Sequence, residues 1–384
     1  MQEQGFMIDK AALVSFGESL TGTIAELERA IYEHAGCEFN INSPKQLGEV
    51  LFDKLLLPAG KKTKTGWSTN ADVLEKLRGK HPIVNMVLDY RMLTKLKSTY
   101  ADGLLKLIDP DGRIRTKFQM TVTATGRLSS TDPNLQNIPI RKELGSHIRE
   151  MFIASKGNVL VDADYSQIEL RLLAHISGDE HMRAAFLSGE DIHTVTASQV
   201  FNTPVDEVTP LQRSRAKAVN FGIVYGISPW SLAQDIGVTQ GEAKAYMDAY
   251  LNKYDGVRDY MKSIVEKAKQ DGYVTTIYSR RRDLPELKSS NFNTRSFGER
   301  VALNMPIQGT AADIIKLAMV NVYNRLKAEG LKARLILQVH DELICENEAQ
   351  TVADILREEM SGAAKLSVPL TVDAKIGHSW AEAH

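Results

Sequence analysis

Cysteine is almost missing from this sequence. Its 384 residues include two, Cys37 and Cys345, and no paired spacing suggests a disulfide framework or a zinc site. No apolar run approaches membrane-spanning length, so no membrane partner is expected. The opening MQEQGFMIDK lacks the apolar stretch of a signal peptide. A reducing, cytoplasmic setting is the expectation. Charge of one sign is also lacking: the formal net charge is -1. That excludes a protein that binds nucleic acid through bulk basicity. There is no Walker A loop. The nearest phrase is LLLPAGKKT, where Leu55 stands in place of the first glycine. Short-period repeats and low-complexity tracts are absent too.

What is present is ordinary in bulk and uneven in detail. Apolar residues make up 43% and charged residues 25%, as in a globular protein of two or three subdomains. The charges cluster. Lys54, Lys61, Lys62 and Lys64 form one basic group, Arg213, Arg215 and Lys217 a second, and Arg280, Arg281 and Arg282 a third. Asp341, Glu342, Glu346 and Glu348 make an acidic one.

Residues up to about 107 read as mostly helical. Ser43 and Pro44 open one helix as N-cap and first-turn proline. A long periodic stretch runs from Pro82 to about Leu107. Between them, PAGKKTKTGWSTN (58–70) reads as a loop. Such an arm suits a polyanion, or it is a hairpin with a solvated tip. Alternation at Ile114, Thr116, Phe118, Met120 and Val122 then predicts a strand. NVLVDADY (158–165) predicts another. A mainly helical insertion covers about 168–297, followed by a helix at about 311–329 and the hairpin RLILQVHDELICE. The class is α+β, with a sheet drawn from separated parts of the chain.

Two patterns carry chemistry. Arg213, Lys217, Phe221 and Tyr225 step by four, one stripe on one helix face. Thr209 and Pro210 supply the start and Gly226 the stop. Two cations suit phosphates, and two rings suit a sugar and base. The same spacing would also fit a surface helix with solvated cations. The second pattern is a pair of strand-end acids. Asp164 closes the first strand and Asp341 sits in the hairpin turn. Carboxylates so placed can share divalent ions that serve phosphoryl transfer. Asp162 lies on the same strand face as Asp164, and spacing alone does not choose between them.

DYSQIELR (164–171), RSRAKAVNFGIVYG (213–226) and QVHDE (338–342) resemble the three polymerase motifs of family A DNA polymerases. TGRLSS (125–130), PNLQNIPIR (133–141), DIHT (191–194) and RVALNMPIQGTAAD (300–313) are similar to that family as well. The likeness covers nearly the whole chain, in order, and is strongest to versions from Gram-positive bacteria.

The resemblance implies a right-hand polymerase fold with an antiparallel-sheet palm, helical fingers and a helical thumb. It divides the chain into a lead-in (1–8), thumb (9–107), first palm part (108–168), fingers (169–297) and second palm part (298–384). It implies template-directed addition of deoxynucleotides to a primer 3′ end, with two Mg²⁺ ions and Mn²⁺ accepted in their place. The partners it implies are primer–template DNA and dNTPs, with no membrane and a monomeric chain, working at the nucleoid of a bacterial cytoplasm. Asp164, Asp341 and the Tyr165 carbonyl become metal ligands, Asp162 drops out, and Glu342 is a lesser acid nearby. Arg213, Lys217 and His193 become triphosphate ligands, with Lys217 also the proton donor to pyrophosphate. Phe221, Tyr225 and Gln167 serve the nucleotide pocket, and Glu169 blocks the space of a 2′-hydroxyl. Arg127, Gln136, Asn137, Arg141, Arg300, Asn304, Gln308 and His340 become primer–template contacts. Minor-groove acceptors shared by all base pairs suit such donors. Pro306 predicts a kink near Asn304 and Gln308.

The sequence starts abruptly for this family, and its length leaves no room for a proofreading or 5′-nuclease domain. The expectation is therefore a polymerase without exonuclease. A single-subunit RNA polymerase, a non-catalytic primer–template clamp and a two-metal nuclease are the rival readings. Phe stands at position 221, where Tyr would relax discrimination against chain terminators. Phe221→Tyr is expected to raise dideoxynucleotide incorporation, measured as termination ratios; unchanged ratios reject that role.

Overall fold

The structure is a computed structural model that describes residues 1–58, 62–63, 66–139 and 143–384. The first part is a helical arm. Helix α1 (Lys10–Ala35) starts where Asp9 accepts the Ala12 N–H at 2.9 Å and ends at Gly36, whose φ is 64°. Helix α2 (Pro82–Leu96) starts on a first-turn proline and passes through a π-turn at Lys97–Ala101 into Asp102–Leu105. The predicted long helix is therefore present but interrupted by that wider turn. Leu13 and Leu20 of α1 meet Leu93 and Leu96 of α2 in one buried cluster. Gly17 permits the approach, since a Cβ there would lie 3.3 Å from that of Ala101. Ser43 caps the short helix Pro44–Gly48 as expected. The predicted loop at 58–70 contains a minimal hairpin, Lys62–Thr63 against Gly66–Trp67.

The alternating stretch from Ile114 to Val122 is not one strand. Only Arg113–Ile114 and Lys117–Gln119 are extended. Lys117–Gln119 pairs with Ser129–Thr131. Beyond Gln119 the partner chain turns away at Gly126, with φ 81°, so the ladder has nothing to pair with. Met120 and Val122 are left 71% and 69% exposed.

The central strand, β1 (Leu160–Tyr165), forms as predicted. After it comes the helical insertion, which includes α3 (Pro210–Val224). The next long helix, α4 (Phe292–Ala328), differs from expectation. It begins well before 311 because Asn291 accepts the N–H groups of Asn293 and Thr294. It also continues through Pro306, so that proline does not end the element. A mid-helix proline costs one backbone bond, and packing offsets it. Gly309 lies so close to the Tyr273–Thr275 hairpin that a Cβ would sit 2.7 Å from Thr276. Asn304 and Gln308 are thus mid-helix residues.

The sheet closes last. Strands β2 (Arg334–Val339) and β3 (Glu342–Glu346) form the predicted hairpin. Helix α5 (Ala349–Ser361) packs behind it, and β4 (Val372–Gly377) completes an edge not foreseen from sequence. The order is β2-β3-β1-β4, all antiparallel. Leu160, Val161 and Ala163 of β1 are fully buried, as a central strand requires. Val161 and Ala163 share a core cluster with Val219 and Ile223 of α3 and Ile314 of α4. Among the described residues, no helix is long and apolar enough to cross a membrane.

Candidate active site

The sheet brings the two strand-end acids together. Asp164 lies directly opposite Glu342 of β3 and Asp373 of β4. Asp341 occupies the β2–β3 turn beside His340, whose φ is 50°. The Tyr165 N–H donates to the Asp341 carbonyl at 3.2 Å, locking the turn to the strand end. Gln338 supports the same turn, its amide donating to the His340 carbonyl at 2.6 Å. Both acids line a cleft of about 480 Å³ together with Arg127, Gln167, Glu169, Phe221 and Tyr225.

This floor is short of positive charge. Burial, then the neighbouring Glu342, Asp341 and Asp162, push the Asp164 carboxyl up to about 7. Burial pushes Asp341 up to about 6, opposed by the Arg127 guanidinium 3.9 Å away. Acids raised in this way, with oxygen donors facing one cleft, are the donor set that a hard divalent cation fits.

The helix above carries the stripe. Thr209 and Gln212 form a reciprocal capping box, and Gly226 ends the helix in the left-handed region, φ 65°. Ala216, Val219, Ile223 and Val224 are buried on the other face, as predicted. The Phe221 and Tyr225 rings are stacked, 6.5 Å between centroids at 18°. The Tyr225 hydroxyl donates to Glu169 at 2.8 Å, and Arg127 donates to the other oxygen of Glu169 at 2.7 Å. Glu169, 4% exposed, thus ties the helix to the floor. Arg213 is held by Asp191 at 2.5 Å. Despite burial, which acts against it, that contact holds the Asp191 carboxyl down at about 2.

His193 sits beneath this surface, fully buried. Its Nδ1 accepts from the Asn220 amide at 3.0 Å, and Nε2 has no partner. Burial, helped by Lys217 and Arg213, lowers its pKa to about 4, so the ring is neutral at pH 7. Gln167 holds φ 58° at the N-terminus of the Ile168–Ser177 helix, a conformation that costs a non-glycine residue energy.

The groove-side residues lie along the sheet edge and α4. The Gln136 amide donates to the Gln338 carbonyl at 3.2 Å, and the Asn137 carbonyl accepts from the Tyr100 hydroxyl at 2.6 Å. Arg300 donates to Ser296 at 3.1 Å. Asn304 has a buried amide nitrogen without a partner, and Gln308 is part-buried one turn on. Arg141 lies outside the described residues.

The sequence model of DNA polymerase family A matches residues 10–382. The chain belongs to DNA polymerase family A. DNA polymerase I of Bacillus subtilis is 55% identical over 388 residues, covering 100% of this chain and 44% of that protein. DNA polymerase I of Caldicellulosiruptor bescii is 51% identical over 386 residues, covering 100% and 45%. This family A chain therefore spans less than half the length of those curated relatives. Among solved structures, the POL domain of Pol1 from M. smegmatis, in complex with DNA primer-template and dNTP, superposes with a TM-score of 0.93. It is 47% identical and covers 99% of this chain and 68% of that one. The chain accordingly has the right-hand polymerase fold, with an antiparallel-sheet palm, helical fingers and helical thumb.

Two residues of this family A site have no signal in the sequence. Arg149 is 3% exposed, its guanidinium 3.9 Å from the Trp380 ring centre and 4.0 Å from Glu342. His384, the last residue of the sequence, returns to the sheet beside Glu342 and Asp162. Neither sits in a motif, and only the tertiary fold brings them to the acids.

Proposed function

We propose that this chain is a template-directed DNA polymerase that extends a primer 3′ end with deoxynucleotides. One observation carries the reading: Phe221 and Tyr225 line the same cleft as Asp164 and Asp341. A base-stacking surface and a phosphoryl-transfer floor thus face one space. In this reading 9–107 is the thumb, 108–168 and 298–384 are the palm, and 169–297 are the fingers. Helix α4 spans the last of these boundaries. The partners are primer–template DNA and dNTPs, and the chain acts as a monomer at the nucleoid of a bacterial cytoplasm.

Asp164, Asp341 and the Tyr165 carbonyl would hold divalent ions, read as two Mg²⁺ with Mn²⁺ accepted. Bound there, such ions activate an attacking oxygen and offset phosphate charge. The primer 3′-hydroxyl gives up its proton to solvent, its oxygen attacks the α-phosphorus, and the bond from that phosphorus to the β-phosphate oxygen breaks. Arg213 and Lys217 hold the triphosphate, and Lys217 gives its proton to the leaving pyrophosphate. His193, neutral and beneath them, backs that face. Phe221 packs on the sugar and base. Tyr225 stacks at the template position, and Glu169 closes the 2′ side. Gln167 lines the nucleotide pocket. Arg127, Gln136, Asn137, Arg300, Asn304, Gln308 and His340 contact the duplex, as does Arg141. Glu342 takes a secondary acidic role.

Primer extension with a labelled primer, Mg²⁺ and either dNTPs or rNTPs tests the proposal. Template-dependent growth with dNTPs is expected; growth with rNTPs alone would instead favour the RNA polymerase reading. Release of pyrophosphate without growth is not a polymerase outcome.

The raised acids also predict a pH dependence. With folded values of about 7 and about 6 against 3.8 unfolded, the folded protein holds the extra protons between the two. Their contribution to metal-free stability is therefore full below the unfolded value and lost as pH rises through the folded ones. Metal needs the deprotonated form. The rise in Tm on adding Mg²⁺ is expected to grow from about pH 5 to about pH 8, read by thermal melts. An increment independent of pH rejects the assignment of these acids as ligands.

A further inference from the structure

Beside the Asp164–Asp341 pair lies a second group of ligating side chains, of which the proposed polymerisation uses only Glu342, as a secondary acid. Asp162, on β1, is 3% exposed, and Glu342, on β3, is 4% exposed. The Nδ1 of His384 lies 3.0 Å from Glu342 Oε2 and 3.4 Å from Asp162 Oδ2. Apart from that ring, neither oxygen of Asp162 has a hydrogen-bond partner, and Glu342 Oε1 has none. Lys375, opposite Asp162 on β4, is turned to the His384 main-chain oxygen, and another nearby cation is Arg149. At 4.0 Å from Glu342 it is beyond hydrogen-bond reach, and its Nε and Nη1 are themselves without partners. Buried carboxylates in proteins are paired, hydrogen-bonded or bound to metal. A single ring N–H points at one oxygen at a time and leaves the rest unanswered.

We propose that Asp162, Glu342 and His384 bind a divalent transition-metal ion. One ligand atom from each lies within 4.8 Å of the others. Ligands about 2.1 Å from a shared ion stand roughly 3.0–3.5 Å apart, the spacing His384 keeps to both acids. Imidazole nitrogen with carboxylate oxygen suits Zn²⁺, Co²⁺ or Mn²⁺ and gives Mg²⁺ no advantage. The ligands are held from behind. Lys375 donates to the His384 carbonyl at 2.6 Å and sits opposite Asp162 in the β1–β4 ladder. That contact fixes the main chain of His384 rather than its ring. An entry path exists: a cleft of about 440 Å³ is lined by Asp162, Lys375 and His384, and the His384 side chain is 33% exposed. The three ligands lie on two strands and the segment after β4, so only the folded chain assembles them.

The untagged chain, in excess Mg²⁺ to fill oxygen-only positions, is titrated with Co²⁺ and followed by visible absorption and equilibrium dialysis. One Mg²⁺-resistant Co²⁺ per chain is expected, displaced by Zn²⁺. His384→Gln and Asp162→Asn are each expected to weaken it by about tenfold or more, with circular dichroism confirming that both remain folded. Absence of Mg²⁺-resistant Co²⁺, or affinity unchanged in both folded variants, overturns the site. The readout is bound cobalt, so it fails or succeeds separately from primer extension.

Discussion

Asp164→Asn and Asp341→Asn should each abolish primer extension while leaving primer–template binding within a few-fold. Asn keeps the shape of Asp and removes the charge. Both acids stand in a floor where burial and neighbouring carboxylates disfavour ionisation. Neutralising one relieves repulsion, so metal-free stability should not fall. The loss should appear in chemistry alone. A metal clamp contributes several kcal/mol at the transition state, and about 1.4 kcal/mol is worth tenfold in rate. Single-turnover extension should therefore drop by about a thousandfold or more. Filter binding to the duplex serves as the control. A rate within tenfold of the parent would sink the metal assignment.

Lys217→Ala should lower kcat by about 10²–10⁴, with a smaller change in KM. The reason is where Lys217 stands. It is exposed on the stripe, and among the described residues it makes no ion pair, so its ammonium can follow the leaving group. Arg213 differs, because Asp191 already holds it. Arg213→Ala should mainly raise KM for dNTP, by roughly tenfold to a hundredfold for a charge-assisted bond. The split between the two variants is the informative result. Lys217→Arg keeps the charge but donates a proton poorly, so it should restore KM and not kcat. Full recovery of kcat in Lys217→Arg would mean that charge, rather than proton donation, is the role of Lys217.

Helix α3 was readable from sequence because its signals are local. The Thr209 cap, Pro210, the four-residue step and Gly226 all act within one element. The β2–β3 hairpin was readable for the same reason. Other elements depend on distant partners. Met120 and Val122 alternate correctly, but a strand also needs a partner, and Gly126 turns that partner away. The start of α4 was hidden by Pro306, and the close approach of Gly309 to Thr276 is a contact no local pattern records. Edge strand β4 has exposed positions that blur its period. The meeting of Asp162, Glu342 and His384 depends on three distant segments. The family likeness pointed to Asp164 and Asp341, but the shortage of positive charge around them appeared only with the fold.

The strand order β2-β3-β1-β4 has a consequence for how the chain comes into being on the ribosome. Asp164 emerges early, on a strand whose two neighbours have not yet been made. The whole helical insertion must be synthesised before β3 exists to pair with it, and β4 follows later still. Domains are built from the N-terminal end as synthesis proceeds. The arm can therefore close on its own contacts while the acidic floor is still in two pieces. A nascent chain released before about residue 377 would hold α3 but only part of the sheet beneath it. Its sheet would still lack the edge that β4 lays beside Asp164, so the order of strands delays the completed floor until β4 is made.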